Sequence, residues 1–320
     1  MSEFSLIERY FQHLSIANKN VLVGIGDDAA VLDVSQFKRL TVSTDTFIED
    51  VHFPKQASAY DIGWKSLAVN LSDMAAMAAK PLWATLAITL PEQDDPWLSE
   101  FCRGFADIAD KFDVSLIGGD TTRGCCSVTV TIFGDCGDDC GILRSGAKPG
   151  DKIYVSGFLG DAALGLQSLN KQLPLSSSEQ QTLRLKLNRP VPRVKEALLI
   201  KTFIHSAIDI SDGLHADLQH ILKASGVGAE VYVNCLPVSR DYQWCCSGSQ
   251  SFDLALTAGD DYELCVTVSE DNEKDFLTVV AQSSVPWSCI GEVTADLGLQ
   301  YLTASGEKYS VHRNAYDHFK

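Results

Sequence analysis

Apolar residues recur along the chain with two periods, and the alternation between those periods predicts its elements. Near the start, Phe4, Ile7, Tyr10, Phe11 and Leu14 share one face of an amphipathic helix. Residues 21–24, 30–34 and 40–43 read as strands and 60–79 as a helix ended by Pro81. A strand at 83–90, a helix at 95–112 and strands at 114–117 and 127–134 follow, the last with alternate residues apolar. The pattern is then punctuated by a Gly-, Asp- and Cys-rich run at 134–141 and by the turn Lys148-Pro149-Gly150-Asp151. Beyond it, 152–156 reads as a strand, a helix starts near Asp161, and Arg189-Pro190-Val191-Pro192 closes a polar loop before another helix. Residues 207–210 form a strand, and Leu214, Leu218, Ile221 and Leu222 make one apolar helical face. Strands at 229–233, 262–268 and 289–293 complete the reading, with an irregular insertion at 239–252 and no short-period repeat. The expectation is two α/β domains, 1–138 and 139–320.

Composition narrows the partners. A chain of 320 residues, 45% hydrophobic and 21% charged, has material for two buried cores, and no stretch approaches the roughly 18 apolar residues of a membrane helix. Forty-two acidic against 26 basic residues give a charge of −16, the wrong sign for holding nucleic acid through its phosphates. The N-terminal segment carries acids among its apolar residues and has no basic or apolar signal region, which predicts a cytoplasmic protein. Ten cysteines are too sparse for a disulfide scaffold, and the neighbours Cys125-Cys126 and Cys245-Cys246 cannot each close an ordinary bridge across a core, so reduced thiols are expected. Cys136 and Cys140 lack a C-x-x-C partner or clustered His, which argues against a structural zinc.

The carboxylates are concentrated where predicted strands end: Gly26-Asp27-Asp28, Ser43-Thr44-Asp45, Gly118-Gly119-Asp120, Asp209-Ile210-Ser211-Asp212-Gly213 and Gly259-Asp260-Asp261. One such Asp ordinarily accepts backbone N–H bonds or caps a helix. Five clusters brought together would repel unless divalent cations lay among them, and all-oxygen donors with Ser and Thr hydroxyls suit Mg²⁺. Asp73 joins them because it stands amid apolar helical residues, on a face shared with Asn70 and distinct from that of Leu67, Leu71 and Ala75. Two apparent nucleotide motifs fail. Gly24-Ile25-Gly26-Asp27-Asp28-Ala29 fits G-x-G-x-x-A but leads into no helix, and its aspartates would repel a metal-free pyrophosphate. In the stretch from Gly141 to Lys148 the P-loop Lys and Ser/Thr are replaced by Ala147 and Lys148, and Pro149 blocks the helix start.

Eight ordered motifs carry a resemblance that spans nearly the whole chain. They are Gly24-Ile-Gly-Asp-Asp-Ala29, Ser43-Thr-Asp45 followed by Val51-His52-Phe53, Asn70-Leu-Ser-Asp73-Met-Ala-Ala-Met77, Ile117-Gly-Gly-Asp-Thr-Thr-Arg123, Arg144-Ser-Gly-Ala-Lys-Pro-Gly150, Ala207-Ile-Asp-Ile-Ser-Asp-Gly213, Gly259-Asp-Asp-Tyr-Glu-Leu264 and Tyr316-Asp-His-Phe319. Together they resemble the thiamine-monophosphate kinase family, in the superfamily of aminoimidazole ribonucleotide synthetase. The resemblance implies a two-domain α/β (α+β) fold with mixed sheets flanked by helices and no P-loop. It also implies homodimers paired through N-terminal strands, and phosphorylation of thiamine phosphate to thiamine diphosphate with ATP as co-substrate. Carried over by position, Asp28, Ser43, Thr44, Asp45, Asp73, Asp120, Asp209 and Asp212 would hold several Mg²⁺ ions. Gly119, Asp120, Arg144 and Ser211 would contact ATP, and His52, Asp260 and Tyr316 the thiamine phosphate. The family often has Glu where this chain has Asp260.

The residue inventory agrees with that chemistry. A phosphate monoester acceptor has a second pKa of about 6, so at neutral pH it needs no general base. It needs charge cancellation, because both substrates and the protein are anionic, and direct in-line transfer through bridging cations is expected. Selenophosphate synthetase, of the same superfamily, would show a reactive Cys and Lys in a Gly-rich N-terminal segment, and residues 1–11 have neither. A non-catalytic metal- or nucleotide-binding protein is the rival from another class.

Overall fold

What each strand face meets decides how far the strands run. The computed structural model describes residues 7–14, 19–25, 29–138, 141–171, 173–246 and 252–312. The chain divides into two units, Met1–Met74 with Ala79–Cys140, and Ala75–Ala78 with Gly141–Lys320. Both combine helices with mixed sheets, the α/β class expected.

In the first unit, β1 (Val21–Val23) and β2 (Val31–Leu32) form an antiparallel ribbon. β3 (Leu40–Ile48), β4 (Lys80–Leu90), β5 (Ser115–Arg123) and β6 (Ser127–Asp135) form a sheet in the order β3-β6-β4-β5. β4 and β5 are parallel and the other pairs antiparallel. β3 and β5 continue well past residues 43 and 117, where the sequence suggested turns, because hydroxyl side chains satisfy one another along the exposed face. Thr44 meets Thr131 at 2.8 Å and Thr46 meets Thr129 at 2.9 Å. Pro81 lies inside β4, and the register shift between Pro81 and Trp83 absorbs the missing N–H.

Two helices accompany this sheet, α1 (Ala59–Ala76) and α2 (Asp95–Phe112). α1 stops short of residue 79 because Ala78 takes a left-handed φ of 48°. α2 is capped by Asp94, whose carboxylate accepts from Trp97 N, and it buries Leu98, Phe101, Phe105 and Ile108. The helices touch at glycines: a Cβ on Gly63 would stand 2.1 Å from the Phe101 carbonyl oxygen, and one on Gly104 would stand 2.0 Å from that of Tyr60. The N-terminal amphipathic segment winds as a π turn, Ile7–Phe11, then a 3-10 turn, Gln12–Leu14, burying Tyr10, Phe11 and Leu14; Phe4 lies outside the described residues.

The second unit holds β7 (Lys152–Ser156), β8 (Ile204–Asp209), β9 (Gly228–Tyr232), β10 (Leu264–Val268), β11 (Trp287–Thr294) and β12 (Gly298–Leu302). Their order is β12-β9-β11-β7-β10-β8, antiparallel except for β12 with β9. Its helices are α3 (Asp161–Asn170), α4 (Ser177–Asn188), α5 (Val194–Ile200), α6 (Leu214–Ser225), α7 (Arg240–Cys245), α8 (Asp253–Thr257) and α9 (Glu270–Val280). Val155, Ile208, Leu218, Ile221, Cys265 and Ile290 are central to its core.

Three of these helices were not legible as apolar patterns. α4 buries only Leu183 and Leu187 but opens with a capping box between Ser176 and Glu179. α9 buries Phe276 and Val280 behind a Ser269 cap. The supposed irregular insertion contains α7, also started by a serine cap at Ser239, and residues 247–251 lie outside the description.

Candidate functional site

In the first unit, alternation along β3 sorts the candidate ligands by face. Thr41, Ser43, Asp45 and Phe47 are half-buried or buried, while Val42, Thr44, Thr46 and Ile48 are exposed. Ser43 Oγ donates to Asp73 Oδ2 in the last turn of α1, so Ser43, Asp45 and Asp73 gather on the side of the sheet that faces this helix. Asp73 is half-buried. Asn70, one turn earlier, is fully buried; its amide donates to the Ser66 carbonyl at 3.1 Å and its Oδ1 has no hydrogen-bond partner among the described residues.

Thr44 and Asp120 belong to the other face. The Thr44 hydroxyl pairs with Thr131, and β5 shares that face through Thr122, whose hydroxyl is 3.4 Å from Thr89 and which stands two residues beyond Asp120. The carboxylate of Asp120 is exposed. Gly119 sits where two parallel strands close up, its missing Cβ leaving room for the Leu86 carbonyl. Asp28 falls among residues 26–28, outside the described set.

His52 follows β3 in a turn where Asp50 has φ 63°. The Ile48 N–H donates to His52 Nδ1 at 3.0 Å, so Nδ1 is an acceptor and the ring is a neutral tautomer carrying its proton on Nε2. The ring stacks on Phe47 with centroids 5.4 Å apart. Lys65, which sequence reasoning passed over, is 5% exposed on α1, and its ammonium lies 5.9 Å from the centre of the Phe47 ring. A cation buried beside aromatic rings in so acidic a chain is a functional candidate that only the fold shows.

In the second unit, Arg144 is exposed on a firmly tied loop. Ala207 N donates to the Leu143 carbonyl at 3.1 Å, Gly146 N and Ala147 N both donate to Ser225 Oγ at 3.2 Å, and Lys148 N donates to Asp151, which pairs with His205 at 2.9 Å.

The strongest convergence lies where β8 ends. Asp209 is buried, Ser211 half-buried and Asp212 exposed. The N–H groups of Ser211 and Asp212 both donate to Asp217 Oδ2 at 3.1 Å, folding the turn around a carboxylate on α6. Burial, reinforced by the charges of Asp209 and Asp212, pushes the Asp217 carboxyl up to about 8. Sequence reasoning missed Asp217, which reads as a polar position between Leu214 and Leu218. Beside this turn, Asp260 N donates to the Ser211 carbonyl at 2.9 Å and Tyr262 N to that of Ile210 at 2.9 Å. Asp260 has φ 71°, and its Oδ1 accepts from the Tyr262 hydroxyl at 3.1 Å. Its neighbour Asp261 turns away to accept from Gly160 N at 2.8 Å, at the start of α3. Thus main-chain bonds bring the Asp260 segment alongside the Ser211-Asp212 turn that follows Asp209. Tyr316 lies outside the described residues, as does Cys140. Among the described residues no three acidic, histidine or cysteine side chains meet at one point.

Comparisons with known proteins extend this picture over the whole chain. The family of the AIR synthase related protein, N-terminal domain, matches residues 26–136, and its C-terminal domain counterpart matches residues 148–301. A thiamine-monophosphate kinase of Salmonella typhimurium is 43% identical over 319 residues, covering 99% of this chain and 98% of that protein. A crystal structure of thiamine-monophosphate kinase from Stenotrophomonas maltophilia K279a superposes with a TM-score of 0.87 at 42% identity, over 96% of this chain and 98% of that one. A structure of AaThiL complexed with AMPPCP and TMP has a TM-score of 0.78 at 29% identity, over 99% and 97%.

Proposed function

The chain belongs to the thiamine-monophosphate kinase family, among the AIR synthase related proteins, and on that premise we propose that it transfers the γ-phosphoryl group of ATP to thiamine phosphate, releasing thiamine diphosphate and ADP. The observation that carries this reading is the 43% identity to a thiamine-monophosphate kinase over 99% of the chain. It is supported by the relative that holds AMPPCP together with TMP.

Mg²⁺ would be held by Asp28, Ser43, Thr44, Asp45, Asp73, Asp120, Asp209 and Asp212, with Thr44 offering its main-chain carbonyl because its hydroxyl faces Thr131. The donor chemistry fits a hard cation: every donor is an oxygen, the Ser43 hydroxyl already lies against the Asp73 carboxylate, and Asp209, Asp212 and Asp217 crowd negative charge around one turn. When bound, such ions supply the charge neutralisation that two anionic substrates require. Arg144, on its tied loop, adds a cation for the ATP phosphates, with Gly119, Asp120 and Ser211 as further ATP contacts. His52, Asp260 and Tyr316 contact thiamine phosphate, the Asp260 carboxylate complementing its cationic thiazolium ring. The acceptor phosphate is ionised at neutral pH, so no side chain acts as a base and transfer is direct. The first domain, 1–138, contributes metal and ATP ligands, and the second, 139–320, the remaining ATP and substrate contacts.

The β3 edge of the four-stranded sheet, opposite the β5 edge that carries Asp120, serves as the pairing surface of a homodimer: Val42 and Ile48 are 55% and 40% exposed there, more apolar surface than a solvated strand face needs. The described cysteines are free thiols, in keeping with a cytoplasmic enzyme. ADP release, followed with thiamine phosphate and then with thiamine or an aminoimidazole precursor in its place, tests the reading. Release is expected with thiamine phosphate alone and should stop on adding EDTA; equal release with the other acceptors would overturn it.

A further inference from the structure

Arg193 and Glu263 form an ion pair that the reaction just described does not use. Their side chains are only 16% and 7% exposed. Arg193 Nε donates to Glu263 Oε2 at 2.6 Å, Nη2 of the same guanidinium donates to Oε1, and Ser156 Oγ donates to Oε2 at 2.6 Å. Gly157 leaves the space this carboxylate occupies, since a Cβ there would stand 1.9 Å from Oε1. Arg193 ends the Arg189-Pro190-Val191-Pro192 segment, and Glu263 ends the Asp260-Asp261-Tyr262 segment.

The main chain of Glu263 is tied to the substrate cluster. Its carbonyl accepts from Ile210 N at 2.8 Å, and Ser156 Oγ accepts from Leu264 N at 2.9 Å. Between these anchors and the Asp260 N–H bond to Ser211, the chain makes two left-handed residues, Asp260 and Tyr262, with φ of 71° and 49°. Such conformations persist where surrounding contacts over-determine them, and the clamped carboxylate of the next residue, Glu263, is one of those contacts.

We propose that the Arg193–Glu263 pair is a positioning device for the thiamine-phosphate side of the site: by clamping Glu263 from inside, it holds Asp260 left-handed against Ser211 with its carboxylate aimed at the substrate. The inference rests on the reading of Asp260 as a substrate contact. A pair serving packing alone would move stability and leave substrate preference untouched.

Steady-state kinetics on the full chain with Mg²⁺, ATP and thiamine phosphate, beside thermal melts, separate the two. Arg193→Lys keeps the charge but gives up the two-pronged contact. Ser156→Ala removes one donor. The double variant Arg193→Met with Glu263→Leu substitutes apolar side chains, a replacement that commonly leaves stability intact. In Arg193→Lys and the double variant the KM for thiamine phosphate should rise about 5- to 30-fold while that for ATP stays within about twofold, even where melting is near wild type; Ser156→Ala should shift the same KM in the same direction. An unchanged KM in Arg193→Lys, an equal rise for both substrates, or a double variant that regains the wild-type KM would overturn the proposal. If the double variant does not fold, the KM split in Arg193→Lys and Ser156→Ala decides it. Absence of any wild-type turnover of thiamine phosphate would overturn the kinase reading and the clamp together, whereas wild-type turnover with no KM split overturns the clamp alone.

Discussion

Adjacent hydroxyls at Ser43 and Thr44 should respond very differently to truncation, because β3 sends them to opposite faces. The Ser43 hydroxyl lies against the Asp73 carboxylate on the helix side, whereas that of Thr44 pairs with Thr131 on the exposed side. Ser43→Ala removes a hydrogen bond to a charged group, worth about 1.5–3 kcal/mol, and with it one oxygen of the proposed cation set. That corresponds to a rise of roughly 10- to 150-fold in the Mg²⁺ concentration giving half-maximal rate. Asp73→Asn removes a full charge from the same place and should lower turnover at least ~100-fold at saturating Mg²⁺. Thr44→Ala leaves the main-chain carbonyl in place and gives up an exposed hydroxyl pair worth about 0.2–1 kcal/mol of stability, so its Mg²⁺ response should stay within about threefold of wild type. The assay is ADP release over a Mg²⁺ titration at fixed saturating substrates, with circular dichroism to confirm folding. A Thr44→Ala variant as impaired as Ser43→Ala, or a Ser43→Ala variant indistinguishable from wild type, would refute the assignment of ligands by strand face.

Asp217 makes stability depend on pH in an unusual direction. Its folded pKa of about 8 against the usual 3.8 means that the native state holds an extra proton between those values. The metal-free protein should therefore lose stability as pH rises from about 5 to 8, by up to about 1.4 kcal/mol per unit from this group, and level off above. In EDTA, the urea midpoint of Asp217→Asn, whose amide oxygen can still accept both N–H bonds, should gain on that of wild type across this window; a difference independent of pH would contradict the burial argument. Gly119→Ala would place a Cβ 1.9 Å from the Leu86 carbonyl oxygen, forcing β4 and β5 apart. A loss of about 1–3 kcal/mol is expected, read as a melting temperature lower by several degrees, and an unchanged melting point would show that the strands part freely.

The fold was most legible where one face of an element is apolar and the other wet. β6 alternates without exception and α2 carries a broad buried stripe, and both stand close to where the sequence put them. Legibility failed where polar side chains satisfy one another within regular structure. The Ser43-Thr44-Asp45 and Gly118-Gly119-Asp120 segments look like turns because they lack apolar residues, yet they are interior strand residues held by hydroxyl pairs and a glycine-permitted close approach. Capping supplied the signals that hydrophobic period did not: Ser176 with Glu179, Ser239 and Ser269 each announce a helix that buries few side chains.

Acidic clustering along the sequence does not by itself assign roles to the individual carboxylates. Asp260 and Asp261 are chemically identical neighbours, yet the left-handed Asp260 bonds the Ser211 carbonyl through its N–H and accepts from the Tyr262 hydroxyl, while the carboxylate of Asp261 is consumed by the Gly160 N–H. Asp217, from a helix that reads as ordinary amphipathic surface, gathers the two N–H groups that shape the same turn. A carboxylate already receiving backbone N–H groups has less to offer a cation than one held near it by its neighbours' bonds. The division between ligand and scaffold is therefore made by hydrogen bonds that join residues far apart in sequence, such as Arg193 to Glu263, and those are the contacts that residue spacing cannot express.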